Sequence, residues 1–309
     1  MKRVVIKIVS VLMLILASSI HAEYAEIILL GTGTPRPSIE RFGSATLVSA
    51  GGKYFLFDAG RGVTIRLHQA GISPNLIEDV YLTHLHSDHI SGLDDLWITG
   101  WVWQRENLLR VSGPQGTHQF VQNLREAYAA DISYRTSNVN LDNNKVQIDS
   151  HEIAEGVVYD QAGVIIKAFL VNHKPVTPAF AYRIEFGNRV IVISGDTTYV
   201  DSMVEQAKGA DVLIHEIAAA SENLLKRNKR LRQVVGYHTT PEQMINLLQK
   251  SKPRFTALNH VLLFGVSEQD VLTELRNKYQ GEVVMGHDLM KIGVGNKISV
   301  EKLSSGVYE

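Results

Sequence analysis

Four side chains that can bind metal ions lie within six consecutive positions of this 309-residue chain: His84, His86, Asp88 and His89. They directly follow the apolar residues 80–82, which predict a buried strand. Side chains two positions apart on an extended segment point to the same side, so His84 and His86 can hold one cation. If the chain turns at Ser87, a good helix N-cap, Asp88 and His89 can serve a second cation nearby. The segment therefore predicts a metal site with room for two ions.

Further candidate side chains also follow apolar segments. Predicted strands at residues 164–170, 190–194 and 212–214 precede, in that order, His173, Asp196 and the pair His215-Glu216, and a shorter apolar segment precedes His260. The ends of neighbouring strands meet at the edge of a sheet, so we expect one pocket built on sheet edges. The two strand-rich halves of the chain suit a sandwich of two sheets.

Two groups of residues near this pattern allow two interpretations each. Asp58 follows a predicted β-hairpin at residues 44–48 and 53–57. It is either a turn former or a carboxylate that orients a metal-binding histidine through the other ring nitrogen. The tryptophans Trp97, Trp101 and Trp103 either pack in the core or form an aromatic wall for an apolar substrate group.

The composition is that of an ordinary globular protein, with 45% hydrophobic and 20% charged residues. The net charge of −1 gives no overall field that would attract nucleic acid or anionic membranes, so an anionic substrate must be drawn by a local patch or by metals. The chain has no cysteine, which excludes disulfides, a cysteine nucleophile and thiolate ligands. Metal binding must therefore rest on His, Asp and Glu.

The N-terminus is typical of a secretory signal peptide. A basic start at residues 1–3 precedes a mostly apolar run at residues 4–17 and small residues up to Ala22. We predict a signal peptide at residues 1–22, with cleavage after Ala22 or near residues 17–19, and a single domain at residues 23–309. The apolar run is shorter than the roughly 18 residues that a membrane anchor needs. We therefore expect a periplasmic or secreted protein without a stable membrane anchor.

The ordered series His84-x-His86-x-Asp88-His89, His173, Asp196 and His260 resembles the ligand series of the metallo-β-lactamase-fold hydrolases, over essentially the whole mature chain. The resemblance implies an α+β fold, a four-layer αββα sandwich with the site at one edge. It also implies that His84, His86 and His173 hold one metal, that Asp88, His89 and His260 hold the other, and that Asp196 bridges both. Two divalent ions are expected; zinc suits histidine-rich sites best, although iron and manganese accept the same donors.

Within this superfamily, His215-Glu216 followed by His238 resembles the ribonuclease Z and arylsulfatase branch. That resemblance implies that Glu216 supports His238 as a proton donor to the leaving group; the alternative is a structural histidine. The predicted catalytic residues are thus Asp88, His238 and Glu216. One departure is that only 23 positions separate His173 from Asp196, where ribonuclease Z enzymes carry a long tRNA-gripping arm. We therefore expect no role in tRNA maturation and no nucleic-acid partner.

The leading hypothesis is an exported binuclear hydrolase of small anionic esters, arylsulfatase-like or phosphodiesterase-like, in which an activated water attacks sulfur or phosphorus. The alternatives are a ribonuclease Z-type nuclease without the arm, a lactonase or β-lactamase, and a periplasmic metal- or ligand-binding protein without turnover. The expected partner is a small anionic ester, and a homodimer is the candidate assembly. Basic residues at 226–232 are either a solvated helix face or an attractant for sulfate and phosphate esters.

Overall fold

The computed structural model describes residues 24–139 and 141–303. The predicted signal peptide at residues 1–22 lies outside the described residues. Within the described ranges, no helix combines the length and apolar character that a membrane crossing needs.

The strands form two mixed sheets. The strands of the first sheet are β1 (Ala25–Gly31), β2 (Ala45–Ala50), β3 (Lys53–Phe57), β4 (Asp79–Tyr81), β5 (Leu109–Gly113), β6 (Ile148–Glu152), β14 (Met290–Val294) and β15 (Ile298–Lys302). Those of the second are β7 (Gly156–Gln161), β8 (Val164–Leu170), β9 (Phe180–Phe186), β10 (Arg189–Ile193), β11 (Val212–Ala220), β12 (Phe255–Phe264) and β13 (Glu282–Met285). The spatial orders are β15-β14-β1-β2-β3-β4-β5-β6 and β13-β12-β11-β10-β9-β8-β7. The C-terminal strands thus complete the sheet that the N-terminal half begins.

Helices cover the outer faces of both sheets. They are α1 (Val63–Gln69), α2 (Ser87–Ile90), α3 (Leu93–Val102), α4 (Thr117–Ala127), α5 (Ala129–Val139), α6 (Asp201–Ala207), α7 (Glu222–Arg227), α8 (Lys229–Gly236), α9 (Pro241–Ser251) and α10 (Glu268–Lys278). Apolar residues of α1, α3 and α4 pack on the first sheet, and those of α6, α9 and α10 pack on the second. The architecture is the predicted four-layer αββα sandwich.

Alternation along the strands produces these layers. In β1, Ile27 and Leu29 face the core between the sheets, whereas Ile28 and Leu30 face the helices. A strand that is buried on both faces is apolar at every position, which explains the continuous apolar run at its start. Phe57, Tyr81 and Tyr182 pack together in the central core directly beneath the site edge.

Two of the three tryptophans, Trp97 and Trp101, pack in the core. Trp97 and Trp101 are buried, and their indole N–H groups donate to the backbone carbonyls of Val146 (2.8 Å) and Asp142 (3.0 Å). Trp103 is half exposed and lies edge-on to His68. Val146 lies in the turn that precedes β6, which begins at Ile148.

Candidate metal centre

The predicted site residues meet at one edge of the two sheets. His84 and His86 follow β4, and the chain then turns into α2, which carries Asp88 and His89. The turn occurs where the sequence predicts it, although His86 and not Ser87 occupies the N-cap position. The remaining predicted ligands are His173 after β8, Asp196 after β10 and His260 within β12.

A β-bulge places His260. The pairing of β11 with β12 runs from Glu216 opposite Asn259 to Ile217 opposite Val261, so His260 is an extra residue without a partner. Its φ angle is +41°, in the left-handed region that non-glycine residues seldom adopt. Bulges of this kind redirect a side chain and are frequent next to active sites. Both strands continue beyond this point, so His260, His215 and Glu216 lie inside strands and not after their ends as the sequence suggested.

The first group of donor atoms comes from three histidines and one carboxylate. His84 Nε2 lies 3.0 Å from His86 Nδ1, and His173 Nε2 lies 3.3 Å from the same atom. Asp196 Oδ2 lies 3.8 Å from His84 Nε2 and 3.7 Å from His173 Nε2. These four side chains can therefore surround one ion.

The second group uses the other oxygen of the same carboxylate. Asp196 Oδ1 lies 3.4 Å from His89 Nε2 and 3.3 Å from His260 Nδ1. Asp88 Oδ2 lies 3.6 Å from His89 Nε2 and 3.0 Å from His260 Nε2. Because Oδ2 of Asp196 faces the first group and Oδ1 faces the second, this residue has the placement of a bridge between two ions.

The donor set fits divalent metal ions. Donor atoms bound tetrahedrally to zinc at ~2.0–2.1 Å are about 3.4 Å apart, within the range of the separations measured here. Among the described residues, His89 Nε2, Asp196 Oδ1 and His260 Nδ1 are buried without a hydrogen-bond partner. A buried polar atom without a partner is costly, and a shared cation would satisfy all three. The cluster is therefore suited to hold divalent metal.

Asp58 holds one of these histidines in place. Its Oδ2 accepts a hydrogen bond of 2.7 Å from His89 Nδ1, and its Oδ1 accepts one of 2.8 Å from the backbone N–H of Thr83. The Thr83 hydroxyl also donates to Oδ2, at 2.9 Å. In the tautomer that carries its proton on Nδ1, His89 would present Nε2 to a metal ion. Asp58 thus has the orienting role, while its φ of +60° shows that it also forms the turn.

Glu216 and His238 form a second buried pair beside the cluster. Glu216 Oε1 accepts hydrogen bonds from His238 Nδ1 (3.0 Å) and from the backbone N–H groups of Thr197 (3.1 Å) and Thr239 (3.0 Å). His238 Nδ1 lies 4.0 Å from Asp196 Oδ2. Burial lowers the pKa of His238, but Glu216, assisted by Asp196, outweighs burial and raises this pKa to about 9. His238 is therefore an imidazolium at neutral pH before any cation is bound.

The carboxylates and histidines of the cluster shift each other's pKa values. Burial raises the pKa of Asp196, but His260 and His89 outweigh it and hold this pKa well below 3.8. Burial lowers the pKa of His84 well below 6.5, and the nearby His89 adds to the effect. Asp196 thus stays ionised and His84 stays neutral, which are the protonation states that metal binding requires.

Sequence reasoning missed three supporting groups. Thr83 links Asp58 to His84 Nδ1, the backbone carbonyl of Tyr237 lies 3.0 Å from His173 Nδ1, and the amides of Thr197 and Thr239 hold Glu216. The position of Thr83 directly before His84 was the only available signal. Backbone groups carry no sequence signature, so the others could not be found.

One cavity borders the cluster, and a second cavity lies next to the first. One, of about 720 Å³, is lined by His86, His173, Lys174, Arg230 and Tyr237 among others. The other, of about 410 Å³, lies along the loop at residues 33–41 and the end of β12. Both are lined in part by Val234 of α8, so the two cavities are neighbours.

Comparisons with known proteins agree on the class. The family model described as anti-Pycsar protein Apyc1 matches residues 25–253. Ribonuclease Z of Mycobacterium sp. (strain KMS) is 34% identical over 280 residues, covering 89% of this chain and 98% of that protein. Among solved structures, the metallo-β-lactamase-fold protein YhfI from Bacillus subtilis has a TM-score of 0.69 at 18% identity and covers 90% of this chain and 100% of its own. The short form of human tRNase Z has a TM-score of 0.65 at 23% identity, with 87% and 99% coverage.

The two sheets, their covering helices and the histidine-rich edge are the metallo-β-lactamase fold, as the resemblance implied. Within that class, the chain belongs to the metallo-hydrolase family that includes the ribonuclease Z proteins it matches along nearly their whole length.

The comparisons bear on one expectation, namely that the missing arm argues against a ribonuclease Z-type function. The mycobacterial ribonuclease Z aligns over 98% of its length within 280 residues, so it has no space for a long arm that this chain lacks. The missing arm therefore does not separate this chain from proteins of that name, and the ribonuclease Z-type alternative is better supported than arylsulfatase activity. Export and a homodimer remain predictions. The exclusion of nucleic acid is untested as well, and the missing arm no longer supports it.

Proposed function

We propose that the protein is a metal-dependent phosphodiesterase of the ribonuclease Z type, with two bound divalent ions, preferably zinc. The observation that carries this proposal is the placement of the buried Glu216–His238 pair beside Asp196, whose two oxygens face two clusters of metal-binding side chains. Similarity to ribonuclease Z favours a phosphodiester over a sulfate ester as the substrate.

The predicted metal ligands and the Glu216–His238 pair would have different roles in the reaction. Ions held by the two groups would polarise the phosphoryl oxygens and lower the pKa of an attacking water. Asp196 fixes the spacing of the two groups, and Asp58 keeps His89 in the tautomer that can bind metal. Asp88, which contacts both His89 and His260, completes the second group.

His238 acts on the leaving group. Glu216 holds Nδ1, so Nε2 is the ring nitrogen left to donate its proton as the phosphorus–oxygen bond breaks. Divalent cations nearby would lower the pKa of His238 from about 9 toward neutrality, where proton transfer is efficient. The attacking water supplies the new phosphorus–oxygen bond, and its released proton restores His238 at the end of the cycle.

The proposal is tested by replacing His238 with Ala and varying the leaving group. Since general-acid help contributes ~10²–10⁴-fold where protonation is needed, we expect the largest loss of kcat for alkoxide leaving groups and the smallest for nitrophenolate. Metal content measured by elemental analysis should remain at two equivalents. The exposed His118 is the matched control, and H118A should keep both rate and metal.

Four outcomes would contradict the proposal. An H238A protein that loses metal would place His238 among the ligands, and an equal loss for all leaving groups would make it a scaffold residue. A substrate panel decides the reaction itself, since faster turnover of an aryl sulfate, a lactone or a β-lactam than of bis(p-nitrophenyl) phosphate would exclude a phosphodiesterase. Wild-type protein that takes up one equivalent of metal or fewer would exclude the binuclear site.

A further inference from the structure

We propose that a small interior cavity next to the metal-binding cluster is a site for one internal water molecule, and that this water joins Asn259 and Thr46 to Glu216. Asn259 and Thr46 are then positioning residues, because the water that they hold fixes the carboxylate that pairs with His238. The catalytic consequence rests on the proposed function, whereas the water site itself does not.

The cavity lies inside the protein, between the two sheets. Residues of both sheets line it, among them Thr46 of β2, Glu216 of β11 and Asn259 of β12. All of its lining residues except Gly195 are buried. About 10 Å³ of it can hold the centre of a water molecule, which is enough for one water and too little for a larger ligand.

Two buried acceptors in the lining have no hydrogen-bond partner among the described residues. They are Oε2 of Glu216 and Oδ1 of Asn259. The two residues lie directly opposite each other in the pairing of β11 with β12, and neighbouring strands are about 4.8 Å apart. Two acceptors cannot satisfy each other, whereas a water between them donates one proton to each. Because buried polar atoms are normally paired, these two atoms favour a bound water.

Thr46 can supply a third hydrogen bond to this water. Nδ2 of Asn259 donates to Oγ1 of Thr46 at 3.5 Å, so the hydroxyl oxygen acts as an acceptor in this contact. The hydroxyl proton of Thr46 has no other acceptor in the described part of the chain and can point to the water. The same contact leaves Oδ1 of Asn259 as the atom that accepts from the water. A water that donates twice and accepts once has the three partners that are typical of buried water.

The water completes an uneven set of contacts around Glu216. Oε1 accepts hydrogen bonds from His238 Nδ1 and from the backbone N–H groups of Thr197 and Thr239, whereas Oε2 accepts none from the described residues. A hydrogen bond on Oε2 opposes rotation of the carboxylate and therefore keeps Oε1 next to His238 Nδ1. The water thus connects the proposed acid to β12, the strand that carries His260.

The water site is separate from the positions of the ions. Two further unpaired atoms of the lining, Asp196 Oδ1 and His260 Nδ1, lie 3.3 Å apart and belong to the second group of metal-binding donors. Glu216 belongs to none of the metal-binding groups of the described residues. A cation at the cluster therefore leaves Glu216 Oε2 and Asn259 Oδ1 still in need of a partner.

A crystal structure of the metal-loaded protein, at a resolution that shows ordered water, tests the site directly. We expect one water within about 2.7–3.2 Å of Glu216 Oε2, Asn259 Oδ1 and Thr46 Oγ1. N259L should exclude this water, because the variant replaces an acceptor with an apolar group of similar size. An empty cavity in the wild type, or a Glu216 Oε2 that bonds directly to a protein group, would overturn the proposal.

Kinetics with two kinds of leaving group test the positioning role. In N259L and T46V the proposed acid is held less firmly, so kcat for an alkoxide leaving group should fall by about two- to tenfold, the loss expected for one hydrogen bond. The loss for nitrophenolate should be smaller, and metal content should stay at the wild-type value. T46S retains the hydroxyl and should restore the rate. Thr256 is buried in the same strand as Asn259 but does not line the cavity, so T256V is the matched control and should keep both rates.

The outcomes separate the water site from the proposed function. A bound water in a protein that hydrolyses no phosphodiester would support the site and defeat the proposed function, and the leaving-group comparison would then use the ester that the substrate panel identifies. Equal losses for both leaving groups, unchanged rates in N259L and T46V, a T46S protein as slow as T46V, or a T256V protein as slow as either would overturn the positioning role. Thr46 lies in β2, away from the bulge at His260, so T46V and T46S carry the test if N259L does not fold.

Discussion

Replacing Asp58 with Asn removes the negative charge of the carboxylate that orients His89, almost without changing the size of the side chain. Asn tolerates the φ of +60° at this position, so the substitution adds no backbone strain. The carboxylate accepts from Thr83 N–H through Oδ1, and from the Thr83 hydroxyl and His89 Nδ1 through Oδ2. An amide can place its NH₂ group in only one of these two positions.

Either orientation of the amide has a defined cost. If the NH₂ group faces Thr83 N–H, two buried donors oppose each other, at a cost of about 1–3 kcal/mol in the free energy of unfolding. If it faces His89, the ring must accept at Nδ1 and carry its proton on Nε2, which can then no longer bind metal. Loss of such an orienting partner typically weakens metal affinity ~10–100-fold, which corresponds to about 1.4–2.7 kcal/mol.

The assay is a competitive metal titration with a chromogenic chelator, combined with urea unfolding of the metal-free protein. We expect D58N to bind one of its two ions ~10–100-fold more weakly than wild type. Asp79 is the matched control, because it is also buried in the first sheet but pairs with Arg110 away from the site. D79N should keep its metal affinity. If D58N kept both affinities, or lost no more than D79N, Asp58 would be a turn former only.

Two further predictions follow from packing and from protonation. A Cβ at Gly195, whose φ is +57°, would lie 2.8 Å from Thr83 Cβ, and one at Gly100 would collide with the buried guanidinium of Arg105. G195A and G100A should therefore both lower the melting temperature. Only G195A should lower the metal content, because it would displace Asp196. Equal loss of metal in both variants would refute this prediction. In metal-free protein the raised pKa of His238 stabilises the fold fully below pH 6.5, and this contribution is lost as the pH rises through about 9. Urea titrations of wild type minus H238Q should show this loss, on the order of 3 kcal/mol, and a pH-independent difference would contradict the Glu216–His238 pairing.

Local sequence was sufficient for much of the site. The cluster from His84 to His89 is contiguous, so strand and turn geometry alone placed its side chains within reach of two ions. Alternating and continuous apolar patterns likewise predicted most strands and the sandwich of two sheets. The reason is that a strand buried on one face is apolar at every second position, and a strand buried on both faces is apolar at every position. The branch of the superfamily also followed from short motifs, although arylsulfatase activity did not gain support from the relatives.

Only the tertiary structure decided how distant residues meet. The bulge at His260 depends on the register between two parallel strands, which no local pattern encodes. The opposite orientation of the two oxygens of Asp196, and the choice of Asp58 as the partner of His89, likewise arise from contacts between elements far apart in the chain. Lys174 and Arg230 are 56 positions apart, and only the fold places both beside the metal centre. The sequence determined which donor groups were available, whereas the packing of the sheets determined where each donor points. The physical reason is that the direction of a side chain across a core depends on strand register and not on composition.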